Sequence, residues 1–223
     1  MDGLVRAGFA AYAVDLRGYG ETPRDSSGWL SPDRAAADLA AVLEWTHQDA
    51  KMLPSLFGWS MGSLVSHLTV QNNPELVSTV TLFGYPFGAD VTIPEIAGPV
   101  NPPQRANTAE AAASDFITPG SISDAALEAY VQEALAADPT RVDWNRAHEW
   151  NALRPGLVTA PTLLIHGEYD PLAPIQAQKE VFAGLGTSDK QWTIIPGGDH
   201  AALLETPRGY MLEAVVDFVS RSR

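Results

Sequence analysis

The 223-residue chain is 45% hydrophobic, carries a net charge of −13 and contains no cysteine. That length and apolar content suit one globular domain with a real core and exclude a disordered tail. The charge argues against nucleic acid and anionic membranes as partners, and the absent thiols exclude disulfides, a cysteine nucleophile and thiolate metal sites. No apolar run of about eighteen residues predicts a membrane helix. Met1-Asp2-Gly3-Leu4 lacks the basic and apolar regions of a signal peptide, so the expected location is cytoplasmic.

In chain order, Leu4 to Gly8 reads as the end of a helix capped by Gly8. Residues 10–15 are a short apolar run expected to form a strand ending at Asp15. Residues 16–30 are a loop rich in Gly, Pro and Ser. Ser31-Pro32-Asp33 starts a helix, with a Ser cap, a first-turn Pro and an acid at the positive dipole end. Ala35, Leu39, Val42 and Thr46 follow at helical spacing on its apolar face. Leu53 to Trp59 predicts a strand, Met61 to about Asn72 a helix that stops before Pro74, and 77–84 another strand. Residues 161–166 predict a buried strand, 174–184 a helix and 191–195 a strand. Thr206-Pro207 opens a last helix with Met211, Val215, Phe218 and Val219 on one face. This alternation predicts an α/β fold, a mostly parallel sheet with helices on both faces.

Residues 86–157 break the alternation. Their first part is rich in proline (Pro86, Pro94, Pro99, Pro102, Pro103, Pro119), and the second has helical stretches at about 123–137 and 140–153. A structureless loop of that length is uncommon in a compact domain. The expected organisation is therefore a core of 1–85 and 158–223 with a helical lid inserted at 86–157.

The predicted strand at Leu53–Trp59 runs into Gly58-Trp59-Ser60-Met61-Gly62, which fits the Gly-x-Ser-x-Gly nucleophile-elbow pattern. A serine on a sharp strand-to-helix turn needs small residues two before and two after it. Its hydroxyl also needs a base to take its proton. Among five histidines, His47 ends a surface helix, His67 lies behind the elbow, His148 is in the insert and His166 ends a buried strand. His200 differs, because Gly197-Gly198-Asp199-His200 follows a strand and precedes the last helix. Loops at that edge of a parallel sheet are where catalysis sits. The orienting acid is expected to be Asp170, a tight turn beyond the 161–166 strand, with Glu168 a rival and Asp90 a distant candidate. Asp199 reads as a turn residue, too close in sequence to His200 to aim at it. The chain order Ser60, Asp170, His200 is the one expected for a triad on such a sheet.

Four segments together resemble the α/β-hydrolase superfamily, in its lid-bearing, epoxide-hydrolase-like and esterase-like branch. Asp15-Leu16-Arg17-Gly18-Tyr19-Gly20-Glu21-Thr22 resembles that branch's D-x-R-G-x-G-x-[ST] segment, Gly58–Gly62 its elbow, Leu164–Asp170 its acid turn and Gly198-Asp199-His200 its histidine loop. Ser60 stands where epoxide hydrolases and haloalkane dehalogenases carry Asp, which disfavours both activities. The resemblance implies cofactor-free and metal-free acyl transfer on a small-molecule acyl substrate. Ser60 is the implied nucleophile, His200 the base, Asp170 the orienting acid and the Met61 N–H an oxyanion donor. Trp59, Trp144, Trp150 and Phe116 are expected either in an acyl pocket or as core packing.

One departure stands at the front. The family begins with strands, one ending in a His-Gly turn that supplies a second oxyanion N–H. No His-Gly occurs before Gly58. The chain therefore reads as an N-terminally incomplete version of a longer hydrolase, with the 10–15 strand short of partners. Losing one oxyanion donor typically costs about 10²–10³ in rate. Three functions stay open: an esterase-like serine hydrolase, a proline-iminopeptidase-like enzyme, and a non-catalytic hydrolase-fold protein. The second would need insert acids such as Glu110, Asp115, Glu128, Glu133 or Glu149 to hold an amine. A homo-oligomer is compatible with the sequence, which does not specify an oligomeric state.

Overall fold

The structure, a computed structural model, describes residues 1–88 and 91–221. Its elements are α1 (Asp2–Arg6), β1 (Trp29–Leu30), α2 (Pro32–Ala50), β2 (Ser55–Trp59), α3 (Met61–Asn72), β3 (Thr79–Phe83), α4 (Ala109–Ala113), α5 (Asp124–Ala137), β4 (Asp143–Trp144), β5 (Thr162–Gly167), α6 (Ile175–Gly184), β6 (Lys190–Ile195) and α7 (Arg208–Ser220). The main sheet has four parallel strands in the order β2-β3-β5-β6. Parallel neighbours need crossovers, and α3, the long 84–161 segment and α6 supply them.

The central strands β3 and β5 are buried along their whole length, as expected of a parallel sheet covered on both faces. Successive side chains point to opposite faces. Val80, Leu82 and Leu164 join the cluster formed with α2, α3 and Val181 of α6. Phe83, Leu163 and Ile165 join Val215 and Phe218 of α7 on the other face, with Leu4 of α1 packed beside them. Each such fully buried side chain contributes about 1.5–3 kcal/mol.

Helix α2 shows how local signals and tertiary contacts combine. Ser31 takes the extended N-cap conformation but makes no side-chain cap bond. Instead the Asp33 N–H donates to the Glu149 carboxylate at 3.0 Å, so an acid 116 positions away satisfies the helix start. The buried face is Ala35, Ala36, Leu39, Leu43 and Thr46, with Leu43 in the place expected for Val42. The loop before it is tied to α2 by Arg17, which donates to both Asp38 oxygens at 2.7 and 2.6 Å and to Asp25 at 2.6 Å. The Ser27 hydroxyl leads in holding the Asp25 carboxyl down to about 2.

Two expected elements do not form. Residues 10–15 are no strand, and most of them are exposed. A strand exists only with a neighbour to hydrogen-bond, and β2 is the last strand on that side among the described residues. Tyr12 instead packs edge-on against Trp45, with ring centroids 6.1 Å apart, and donates to Asp49 at 3.0 Å. Residues 140–153 are not one helix but β4 followed by a 3-10 stretch, Ala147–Ala152. Tertiary pairing overrides helix propensity there. β4 pairs in parallel with β1, buried Asp143 binds Arg24 at 3.0 Å, and Arg146 adopts the left-handed conformation at φ 53°.

Candidate active site

Ser60 sits between β2 and α3 with φ 53° and ψ −124°. A non-glycine residue held there costs about 1–3 kcal/mol, so its surroundings must impose it. Its N–H donates to the Phe83 carbonyl at 2.9 Å, and its carbonyl accepts from the Ser63 hydroxyl at 2.6 Å. The two elbow glycines differ. A methyl on Gly58 would collide with the Gly62 carbonyl and the Ser66 hydroxyl, whereas one on Gly62 would meet nothing within 4 Å. The tight approach is thus on the strand side only, which corrects the expectation that both glycines are needed for packing.

His200 and Asp170 come from loops after β6 and β5. The Ser60 Oγ lies 2.8 Å from His200 Nε2, and His200 Nδ1 lies 2.9 Å from Asp170 Oδ2. An ionised carboxylate only accepts, so Nδ1 carries the proton and Nε2 accepts from the Ser60 hydroxyl. The Asp170 and His200 side chains are both fully buried. Asp170 Oδ1 accepts from the N–H groups of Leu172 at 2.9 Å and Ala173 at 3.1 Å, which fixes the carboxylate's direction. The arrangement can draw a proton from Ser60 and hold the imidazolium that results. Met61 is the first residue of α3, so its N–H has no helical acceptor and is free for an oxyanion.

The other candidates scatter. Glu168 accepts from the Gly197 N–H at 2.9 Å, away from His200 Nδ1, and Asp90 lies outside the described residues. His47 is exposed, and His148 lies 3.9 Å from Glu95. His166 is buried, bonded to the Gly167 carbonyl at 3.0 Å and tilted 30° against the Trp192 ring; burial lowers its basicity. His67 is fully buried with Nδ1 2.8 Å from the Tyr85 hydroxyl. The Trp59 indole N–H donates to the His200 carbonyl at 2.7 Å. Trp144 and Trp150 pack together, 5.9 Å between ring centroids, within the cluster that includes Leu39 and Leu68, and Trp144 also donates to Tyr19. Phe116 packs edge-on against Tyr130.

Sequence reasoning missed two participants and named a third, Asp115, only as one of five insert acids. Gly84, after β3 at φ 56°, lies where a methyl would come within 3.1 Å of the His200 ring and 3.3 Å of Asp170. A glycine directly after a strand was its only signal. Asp199 is no mere turn residue: it is fully buried, and its carboxylate accepts from the Ile117 and Thr118 N–H groups at 2.9 and 2.5 Å. Asp115, half-buried, is pushed up first by burial, with Asp170 and Asp199 adding to the rise and His200 opposing it. It therefore lies within electrostatic reach of the Ser60 cluster.

Comparison with known proteins bears on the family and the fold. A family model described as serine aminopeptidase, S33, matches residues 1–207. No curated protein matches the chain in sequence. Among solved structures, the monoacylglycerol lipase of Paleococcus ferrophilus superimposes with a TM-score of 0.67 at 18% identity, covering 100% of this chain and 87% of that one. A thermophilic esterase gives 0.68 at 22% identity, covering 95% and 81%. A thermophilic esterase from Thermogutta terrifontis gives 0.62 at 18%, covering 93% and 78%. These likenesses establish the fold. Among the described residues no helix is long and apolar enough to cross a membrane.

Proposed function

The chain belongs to the serine aminopeptidase S33 family of α/β-hydrolases, and from that membership we propose a serine hydrolase that cleaves an ester or related acyl bond through an acyl-enzyme. One observation carries the reading: the unbroken hydrogen-bonded run from Ser60 through His200 to Asp170. Ser60 Oγ attacks the carbonyl carbon while His200 Nε2 takes its proton. The developing oxyanion faces the Met61 N–H. His200 then gives the proton to the leaving group, and a water repeats the sequence to release the acid. Asp170 keeps the proton on Nδ1 and stabilises the imidazolium. The segment 86–157 acts as the lid, anchored beside His200 through Ile117 and Thr118.

The test is labelling by a fluorophosphonate and turnover of p-nitrophenyl acetate. Ser60→Ala should abolish both, and Asp170→Asn should lower kcat by about 10⁴. Folded wild-type protein that is not labelled at Ser60 would overturn the enzyme reading.

A second reading, release of an N-terminal residue from a peptide, is favoured by Asp115. It is the insert acid in electrostatic contact with His200 and Asp170, where it could meet a substrate ammonium. Glu149 is committed elsewhere, to Arg146 and to the start of α2. Faster turnover of amino-acid arylamides than of the acetate ester, lost in Asp115→Asn, would favour this second reading over the first.

A further inference from the structure

Asp199 and Glu205 flank the histidine loop, and both are fully buried, although acids are rarely buried without a cation. Among the described residues their hydrogen-bond partners are hydroxyl and backbone groups. Asp199 Oδ2 accepts from Ile117 and Thr118, and Oδ1 accepts from Ala201 at 3.0 Å. Glu205 Oε1 accepts from the Ser121 hydroxyl at 2.6 Å, and Oε2 from the Asp199 N–H at 3.3 Å. The return contact comes from Thr206, whose N–H and hydroxyl both donate to the Ser121 carbonyl, at 2.9 and 2.8 Å. Residues 117–121 are therefore bolted to residues 199–206, with His200 inside the bolted loop.

We propose that Asp199 and Glu205 are positioning residues: a buried latch that fastens insert residues 117–121 to the histidine loop and so sets where His200 stands relative to Ser60. The inference rests on the hydrolase reading above. It goes beyond that reading by tying closure of the insert to the geometry of the base.

Three features support the latch. First, it adjoins His200 covalently, and the other side of the same residue is held by Trp59, whose indole N–H grips the His200 carbonyl. A loop gripped at both ends transmits a shift at one end to the imidazole. Reacting groups misplaced by about 1 Å can lose about 10² in rate. Second, the two acids are in complementary states. Burial alone would raise both. The N–H groups of Ala201 and Thr118, with Glu205, more than offset it for Asp199, which stays ionised. For Glu205 burial wins over the Ser121 hydroxyl, and the neighbouring Asp199 raises it further. The two carboxyls thus shift in opposite directions, Asp199 down and Glu205 up. Third, the ionised acid is the one that grips the insert backbone, where charge-assisted bonds are about twice as strong as neutral ones.

The experiment compares Asp199→Asn, Glu205→Gln, Glu205→Ala and Ser121→Ala with wild type. Each preparation is titrated with a fluorophosphonate, so that kcat and KM for p-nitrophenyl acetate are expressed per reactive Ser60. An amide at 199 sets an N–H₂ against N–H donors, so Asp199→Asn should lower kcat per titrated site about tenfold and raise KM several-fold. A merely structural acid would reduce the number of titratable sites and leave kcat per site unchanged, and that result overturns the latch. Glu205→Gln keeps the acceptor for Ser121 and loses only the one for the Asp199 N–H, so it should fall less than Glu205→Ala, which removes both acceptors and should fall with Asp199→Asn. Equal damage in the two Glu205 variants also overturns it. Should Asp199→Asn fail to fold, Ser121→Ala, altered only on the insert side, should raise KM several-fold, and an unchanged KM counts against the proposal. Wild type that is not labelled at all refutes the hydrolase reading instead, so the two failures are distinguishable.

Discussion

His67 offers a direct test of the packing behind the elbow. Its ring is fully buried on α3, with Nδ1 on the Tyr85 hydroxyl and Nε2 without a partner in hydrogen-bond geometry. Burial lowers its pKa from 6.5 to about 4, and the nearby Arg154 backbone offsets only part of that. Between those two values the unfolded chain binds a proton that the folded chain refuses. Stability therefore rises with pH through this window; it is complete above 6.5 and is lost as pH falls towards about 4. At about 1.4 kcal/mol per pH unit the whole gap corresponds to about 3 kcal/mol, of which about 2.5 kcal/mol is lost by pH ~4.5. His67→Gln keeps an acceptor for Tyr85 and cannot titrate. Urea unfolding of both proteins at pH ~7.5 and ~4.5 isolates the effect, because the carboxylates titrate alike in each. Wild type should lose about 2.5 kcal/mol more than the variant across that interval. Equal losses in the two proteins would show that His67 charges freely in the fold and would refute the reasoning.

Four further outcomes follow from the structure. Gly58→Ala should lower Tm sharply, because its methyl meets the Gly62 carbonyl and the Ser66 hydroxyl, whereas Gly62→Ala should hold or raise stability by up to about 1 kcal/mol. Thermal melts of the pair decide it. Gly84→Ala combines about 1–2 kcal/mol of left-handed backbone strain with a contact against His200, so both Tm and labelling of Ser60 should fall. Glu149→Ala uncovers the Asp33 N–H at the start of α2 and should cost about 1 kcal/mol, a drop of about 2–4 °C in a melt. Trp59→Phe retains the ring but loses the bond to the His200 carbonyl, so kcat for p-nitrophenyl acetate should fall several-fold with little change in far-UV circular dichroism.

Much of the scaffold was legible because its signals are local. The buried runs at β3 and β5, the helix starts at Ser31 and Ser123 and the strand-elbow-helix at Ser60 each follow from spacing and turn chemistry within a few residues. Ser60, Asp170 and His200 could each be picked as a residue just beyond a strand, but their hydrogen bonds join residues 30 and 140 positions apart. Where neighbours decide, sequence reasoning failed. The 10–15 run has a strand's composition and no ladder to join. The 140–153 run has helical periodicity but was captured by β1 and by Arg24.

By itself, then, the sequence determined the α/β order, the elbow and the membership in a hydrolase family, since periodicity, capping and short motifs are written in adjacent residues. Only the tertiary structure decided which of the two elbow glycines is sterically required, that Glu149 caps a helix more than a hundred positions away, and that Asp199 binds the Ile117 and Thr118 backbone. Burial, charge state and close approach belong to whatever segments fold against one another, and no single segment carries that information.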